Sequence, residues 1–145
     1  MKCSVLKLTA ATICLGLSSA ASAESNPLVA ERWKTRPVIV VVPRQGDPLL
    51  AKIHAALEEP AAREAFRERE MVLYTVVSGN GSRNGKTMPP EQTRAMLRAL
   101  QMDAQRPATL VLVGKDGGIK LTEGADVDLH AVFAEIDRMP MRQKR

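Results

Sequence analysis

Beyond residue 14 this chain has no cysteine: Cys3 and Cys14 are its only two, and both sit in or beside its first apolar stretch. If that stretch is removed on export, what remains forms neither a disulfide nor a thiolate nucleophile. Its core must then hold by packing alone, even in an oxidising compartment. Aromatic residues are also scarce. One Trp, one Tyr and two Phe provide no interleaving of rings and cations on which nucleic-acid bases would stack. With two histidines, no thiolates and no dense acidic loop, neither a zinc nor a calcium site has support, and no cofactor is expected. No apolar run reaches the roughly 20 residues of a membrane span.

What is present begins with the three parts of a secretory signal. Lys2 and Lys7 give a positive start, Leu8 to Leu17 is almost wholly apolar, and Ala21-Ser22-Ala23 supplies small residues for a peptidase. Cleavage after Ala23 is expected, with a retained anchor as the alternative, and the destination is a bacterial periplasm or the exterior. Ala11-Thr12-Ile13 before Cys14 lacks the small residue that normally precedes a lipidated cysteine. Removing Lys2 and Lys7 takes 21 basic residues to 19 against 16 acidic ones, so the formal charge falls from +5 to +3. Much of that surplus is a basic tail, Arg138, Arg142, Lys144 and Arg145. Such a tail attracts an anionic membrane or partner at long range, or serves solubility.

After the signal, residues 24–36 read as a polar, flexible lead-in that docks through Trp33. A single domain follows over residues 37–145. Val38 to Val42 are β-branched in succession, the pattern of an interior strand covered on both faces. Asp47 and Pro48 then form a helix start, a cap followed by a residue whose missing N–H costs nothing there. Leu49, Leu50, Ile53 and Leu57 repeat at helical spacing. A second helical piece anchored by Phe66 precedes another strand, Met71 to Val77. Ser78 to Lys86, rich in Gly, Asn and Ser, reads as an exposed excursion tolerant of left-handed backbone. Pro89-Pro90 opens a third helix with Met96, Leu97 and Leu100 facing inward. Thr109 to Val113 is a strand, turned by Lys115-Asp116-Gly117-Gly118 into a partner at Ile119 to Leu121. A last helix starts at Asp126 or Asp128 and carries Leu129, Val132, Phe133 and Ile136. This order predicts an α/β fold: a four-stranded mixed sheet with helices on both faces.

Four segments carry a family resemblance: Arg36 to Val42, Arg67 to Val72, Val111 to Leu121, and Ile136 to Arg142 with its Met139-Pro140-Met141-Arg142 motif. Together they resemble the bacterial domain-of-unknown-function family DUF4174. That family is similar to domains of vertebrate extracellular sushi-repeat and coiled-coil-containing matrix proteins. The resemblance implies a thioredoxin-like, peroxiredoxin-related fold without an established enzymatic activity, and it supplies no catalytic residue. A redox centre of that superfamily would occupy Pro43 to Pro48, where this chain has no cysteine. Arg106-Pro107 resembles the loop in which thioredoxins place a cis proline.

If this frame is right, Arg44, Gln45 and Asp47 lie beside Arg106 and Pro107. Two arginines and a helix N-terminus suit a carboxylate, a sulfate or an extended peptide end, whereas Asp47 would cap the helix and repel an anion. Gly114 to Gly118 lacks the lysine-hydroxyl pair and following helix of a phosphate loop. Asp126, Asp128 and His130 are explained by a helix start, with His130 outward, and His54 by the boundary of an apolar stripe. Met139 reads as core filler behind the helix-ending Pro140, with Met141 either core or exposed. The leading function is therefore an exported, non-enzymatic module binding a protein, peptide or cell-envelope component. Its alternatives are a divergent oxidoreductase or antioxidant protein without its own thiols, and a structural envelope protein.

Overall fold

Five successive β-branched residues put β1 (Arg36–Val42) at the centre of the sheet, and all seven of its residues are buried. The computed structural model describes residues 26–143. The expected signal over residues 1–23 and the tail residues Lys144 and Arg145 lie outside the described residues. β2 (Met71–Val77) runs parallel to β1 along its whole length, from Arg36 opposite Met71 to Val42 opposite Val77. On the other side β5 (Thr109–Val113) is antiparallel, with Val41 opposite Thr109, and β6 (Ile119–Glu123) closes that edge.

Helices cover both faces because β1 offers apolar side chains to both. Val38, Val40 and Val42 pack with Leu49, Leu50 and Ile53 of α2 (Pro48–Glu58), with Phe66 of α3 (Pro60–Glu68), and with Val132, Phe133 and Ile136 of α5 (Leu129–Asp137). Ile39 and Val41 turn the other way, to Leu28 of α1 (Pro27–Glu31) and to Met96 and Leu97 of α4 (Pro90–Ala99). Two cores thus sandwich one sheet, which is the layered α/β architecture expected. Asp47 caps α2, accepting a hydrogen bond from Leu49 N at 3.0 Å, and Asp128 caps α5 through Ala131 N at 2.8 Å. Met139 packs on the first core, whereas Met141, on α6 (Pro140–Gln143), is exposed.

The sheet has six strands, not four: β4-β3-β2-β1-β5-β6. The additional two are β3 (Asn80–Arg83) and β4 (Lys86–Thr87), which occupy the segment expected to be an excursion. Its left-handed residues are confined to two tight turns, Ser78-Gly79 and Asn84-Gly85, each with positive φ at both positions. Those are the two-residue turns that join hairpin strands, and Asn-Gly is the strongest local signal for one. Between them Gly81 is buried, and a Cβ there would sit 2.9 Å from Met88 Cε and collide with Thr93. Only glycine lets β3 lie this close to α4.

The lead-in also differs from expectation. Residues 27–31 form α1, and docking is through Leu28 and Glu31, both buried, while Trp33 stands 67% exposed. Glu31 turns inward because three donors await it there. Trp33 instead takes a left-handed backbone, φ 64°, with its N–H donating to Lys115 O at 2.7 Å. All peptide bonds among the described residues are trans, including the one preceding Pro107.

Candidate functional site

The antiparallel register of β1 and β5 brings two of the predicted loops to one end of the sheet. With Val41 opposite Thr109, Pro43-Arg44-Gln45 leaves the sheet beside Arg106-Pro107. A third loop joins them where Ser78 Oγ donates to Pro43 O at 2.9 Å. Arg44, Gln45, Arg106 and Pro107 are exposed and Asp47 is buried. Neither guanidinium is held by a hydrogen bond or ion pair among the described residues. The Asp47 carboxylate already satisfies an amide of the α2 terminus, so an anion arriving here would be received by the arginines rather than by the helix.

Gln45 also borders a second surface. It lines a groove of about 410 Å³ between α2 and the β3-β4 hairpin, with His54, Thr75, Asn80 and Ser82 among its walls. Arg44, Asp47, Arg106 and Pro107 do not line it. The structure therefore brings the two arginine loops to one end, and of the five residues only Gln45 also lines this groove. His130 is exposed, edge-on to Phe133 at 6.2 Å between centroids. Among the described residues no group of three His, Cys, Asp or Glu is placed to hold a metal ion, and no helix is long and apolar enough to cross a membrane.

At the opposite end of β1 lies an ionic cluster that the sequence pattern did not reveal. Arg36, 3% exposed, donates from Nη1 to Arg69 O at 2.8 Å and lies 3.7 Å from the Glu70 carboxylate, which Lys115 also pairs. Arg69 grips Asp137 with two bonds, 3.1 and 2.6 Å, while its guanidinium lies 4.7 Å from the centre of the Phe133 ring. Arg142 donates to Glu68 O at 2.9 Å and approaches Asp137 at 3.7 Å. The bond from Arg69 holds the Asp137 carboxyl below its usual range. Every one of the four segments that carry the family resemblance contributes to this clasp. Their charged residues tie these segments together.

Beside the clasp is a groove of about 520 Å³, walled by Trp33, the turn at Lys115 and Asp116, and Met139 to Met141. Trp33 is held there at some expense, since a left-handed conformation costs an L-residue roughly 1–2 kcal/mol. Trp33 is the expected docking point of the lead-in, yet its side chain is largely exposed. The signal that it faces out was available only as its isolation between two cations, Arg32 and Lys34.

A family model described as "Domain of unknown function (DUF4174)" matches residues 27–145. No curated protein and no solved structure matches the chain.

Proposed function

The chain belongs to the DUF4174 family, and from that premise we propose that it is an exported, non-enzymatic module that binds a protein, peptide or cell-envelope component through its Arg44 and Arg106 loops. The observation that carries this reading is the pair of exposed guanidinium groups on neighbouring loops, neither engaged among the described residues. A guanidinium fork matches a carboxylate bidentately, and a rigid sheet end fixes two forks at once. The terminal carboxylate of a peptide is the ligand chemistry that fits best.

A periplasmic or secreted location follows from the signal read over residues 1–23. A thioredoxin-like frame agrees with four consecutive strands of the sheet, β2-β1-β5-β6, joined by helical crossovers and ending in the β5-β6 hairpin. The β3-β4 hairpin is then an addition on one edge. Disulfide exchange requires a thiolate, and the chain's cysteines are at positions 3 and 14 only.

The test is an NMR titration of the exported protein with short peptides bearing free or amidated C-termini. Free carboxylates should shift the amide signals around Arg44 and Arg106, and the double substitution Arg44→Ala, Arg106→Ala should weaken binding at least about tenfold, equivalent to about 1.4 kcal/mol. Unmoved loop signals with both peptide sets would sink the proposal.

A further inference from the structure

We propose that the end of the molecule opposite the arginine loops is a docking surface for an anionic lipid membrane, with Trp33 as its central anchor. Four large apolar side chains are exposed among the described residues: Val29, Trp33, Ile119 and Met141. All four border the turn between β5 and β6. Trp33 and Met141 share the groove on one side of it, and Val29 and Ile119 share a smaller groove, with Arg32 and Gly117, on the other. Trp33 N is bonded to Lys115 of that turn, and the Arg32 side chain lies against Gly117. The rest of the described surface exposes no large apolar residue. Apolar exposure concentrated at one end is the mark of a contact site rather than of scattered surface residues.

Charge selects the occupant. The acidic side chains bordering the Trp33 groove are already neutralised, Asp116 by Lys120 and Glu135 by Arg138, while nearby Glu70 pairs with Lys115. Arg32 and Lys34, on either side of Trp33, take no acidic partner among the described residues. The surface left over is therefore cationic around apolar projections. A Trp at the level of the headgroups, small apolar insertions beside it and Lys or Arg at the rim form the combination that holds a protein on a bilayer face without spanning it. The cations meet anionic headgroups, an attraction that weakens as salt screens it. A peptide groove would instead call for enclosing walls, whereas these four side chains project from α1, its following turn, β6 and α6, each about half exposed or more. Docked this way, the module would turn its Arg44 and Arg106 loops away from the bilayer, since they leave the far end of β1.

Trp33 is the only tryptophan in the chain, so its emission reports on this surface alone. The exported full-length protein is mixed with vesicles of phosphatidylcholine, or of phosphatidylcholine and phosphatidylglycerol in equal parts, and followed by sedimentation and fluorescence. The mixed vesicles should sediment the protein and shift Trp33 emission to shorter wavelength, brominated lipid should quench it, and added salt should release it. Met141→Ser and the pair Arg32→Glu, Lys34→Glu should each lower partitioning about tenfold while circular dichroism stays unchanged. Arg44→Ala, Arg106→Ala should bind vesicles normally, which separates this surface from the one proposed for peptides. No sedimentation on mixed vesicles, binding indifferent to the charge reversals, or a Trp33 shift seen only with an added protein would each overturn the assignment.

Discussion

Tyr74 donates its hydroxyl to the Glu31 carboxylate at 2.7 Å, across 43 residues of chain. The same carboxylate receives Arg83 Nε at 2.8 Å and Thr35 Oγ1 at 2.6 Å. This one acidic group therefore fastens α1 and the turn after it to β2 and to the β3-β4 hairpin.

Glu31→Ala should cost about 2–3 kcal/mol, because it strands the buried Tyr74 hydroxyl as well as removing charge-assisted bonds. Arg83 is 45% exposed, so its ion pair adds less than a buried one would. Thr35→Ala removes a single donor and should cost about 1 kcal/mol. Urea denaturation of the two variants measures both.

Stability should fall at both ends of the pH scale. Burial pushes the Glu31 carboxyl up, but hydrogen bonds from Arg83, Thr35 and Tyr74 outweigh it and hold the group below 4.5. Asp137 and Asp116 lie below 3.8, held by bonds from Arg69 and Lys120. Groups lowered in the folded state stabilise above their unfolded values and lose that contribution as pH drops through the folded ones. Acid unfolding should therefore set in below 4.5, more gently in Glu31→Gln. Burial and the neighbouring Glu31 push the Tyr74 phenol well above 10.0, so its contribution is complete below that value and erodes above it. Melting temperatures across the pH range check both limbs.

Asp47 separates capping from binding. Asp47→Ala should cost about 1 kcal/mol through loss of the α2 cap, whereas Asp47→Asn should keep stability within about 0.5 kcal/mol. Removing the charge should also tighten peptide carboxylate binding at Arg44, read from the same NMR titration. An unchanged affinity in Asp47→Asn would mean that the carboxylate exerts no repulsion there.

Met139 and Met141 should part company. Met139 packs on the core and Met141 is 46% exposed, so Met139→Ala should cost about 1–2 kcal/mol and Met141→Ala less than about 0.5 kcal/mol. Deleting residues 139–145 should cost more than either, because it also removes the Arg142 bond to Glu68. Thermal denaturation of the three variants ranks them.

Legibility followed the range of each signal. The run Val38 to Val42 and the stripe Leu49, Leu50, Ile53 declare themselves within a few residues, and their elements lie where expected. Asn84-Gly85 was equally local, yet the polar residues around it masked a hairpin whose strands sit at a sheet edge, where burial leaves little apolar pattern. That the Arg44 and Arg106 loops share an end is legible as well, because strand order alone dictates which loops leave the sheet together.

By itself the sequence determined the layered α/β architecture, the central strand, the helix cap at Asp47, and the absence of a thiol beyond residue 14, because propensity, spacing and composition are properties of short stretches; between Asp126 and Asp128 as the start of the last helix the structure selects Asp128. Only the tertiary structure decided that Glu31 is inside and Trp33 outside, and that Arg36, Arg69, Lys115, Asp137 and Arg142 form a clasp. In a mixed polar segment burial is set by what arrives from elsewhere. Tyr74 and Arg83 come from 43 and 52 residues away to claim Glu31, and Asp137 from 68 to claim Arg69.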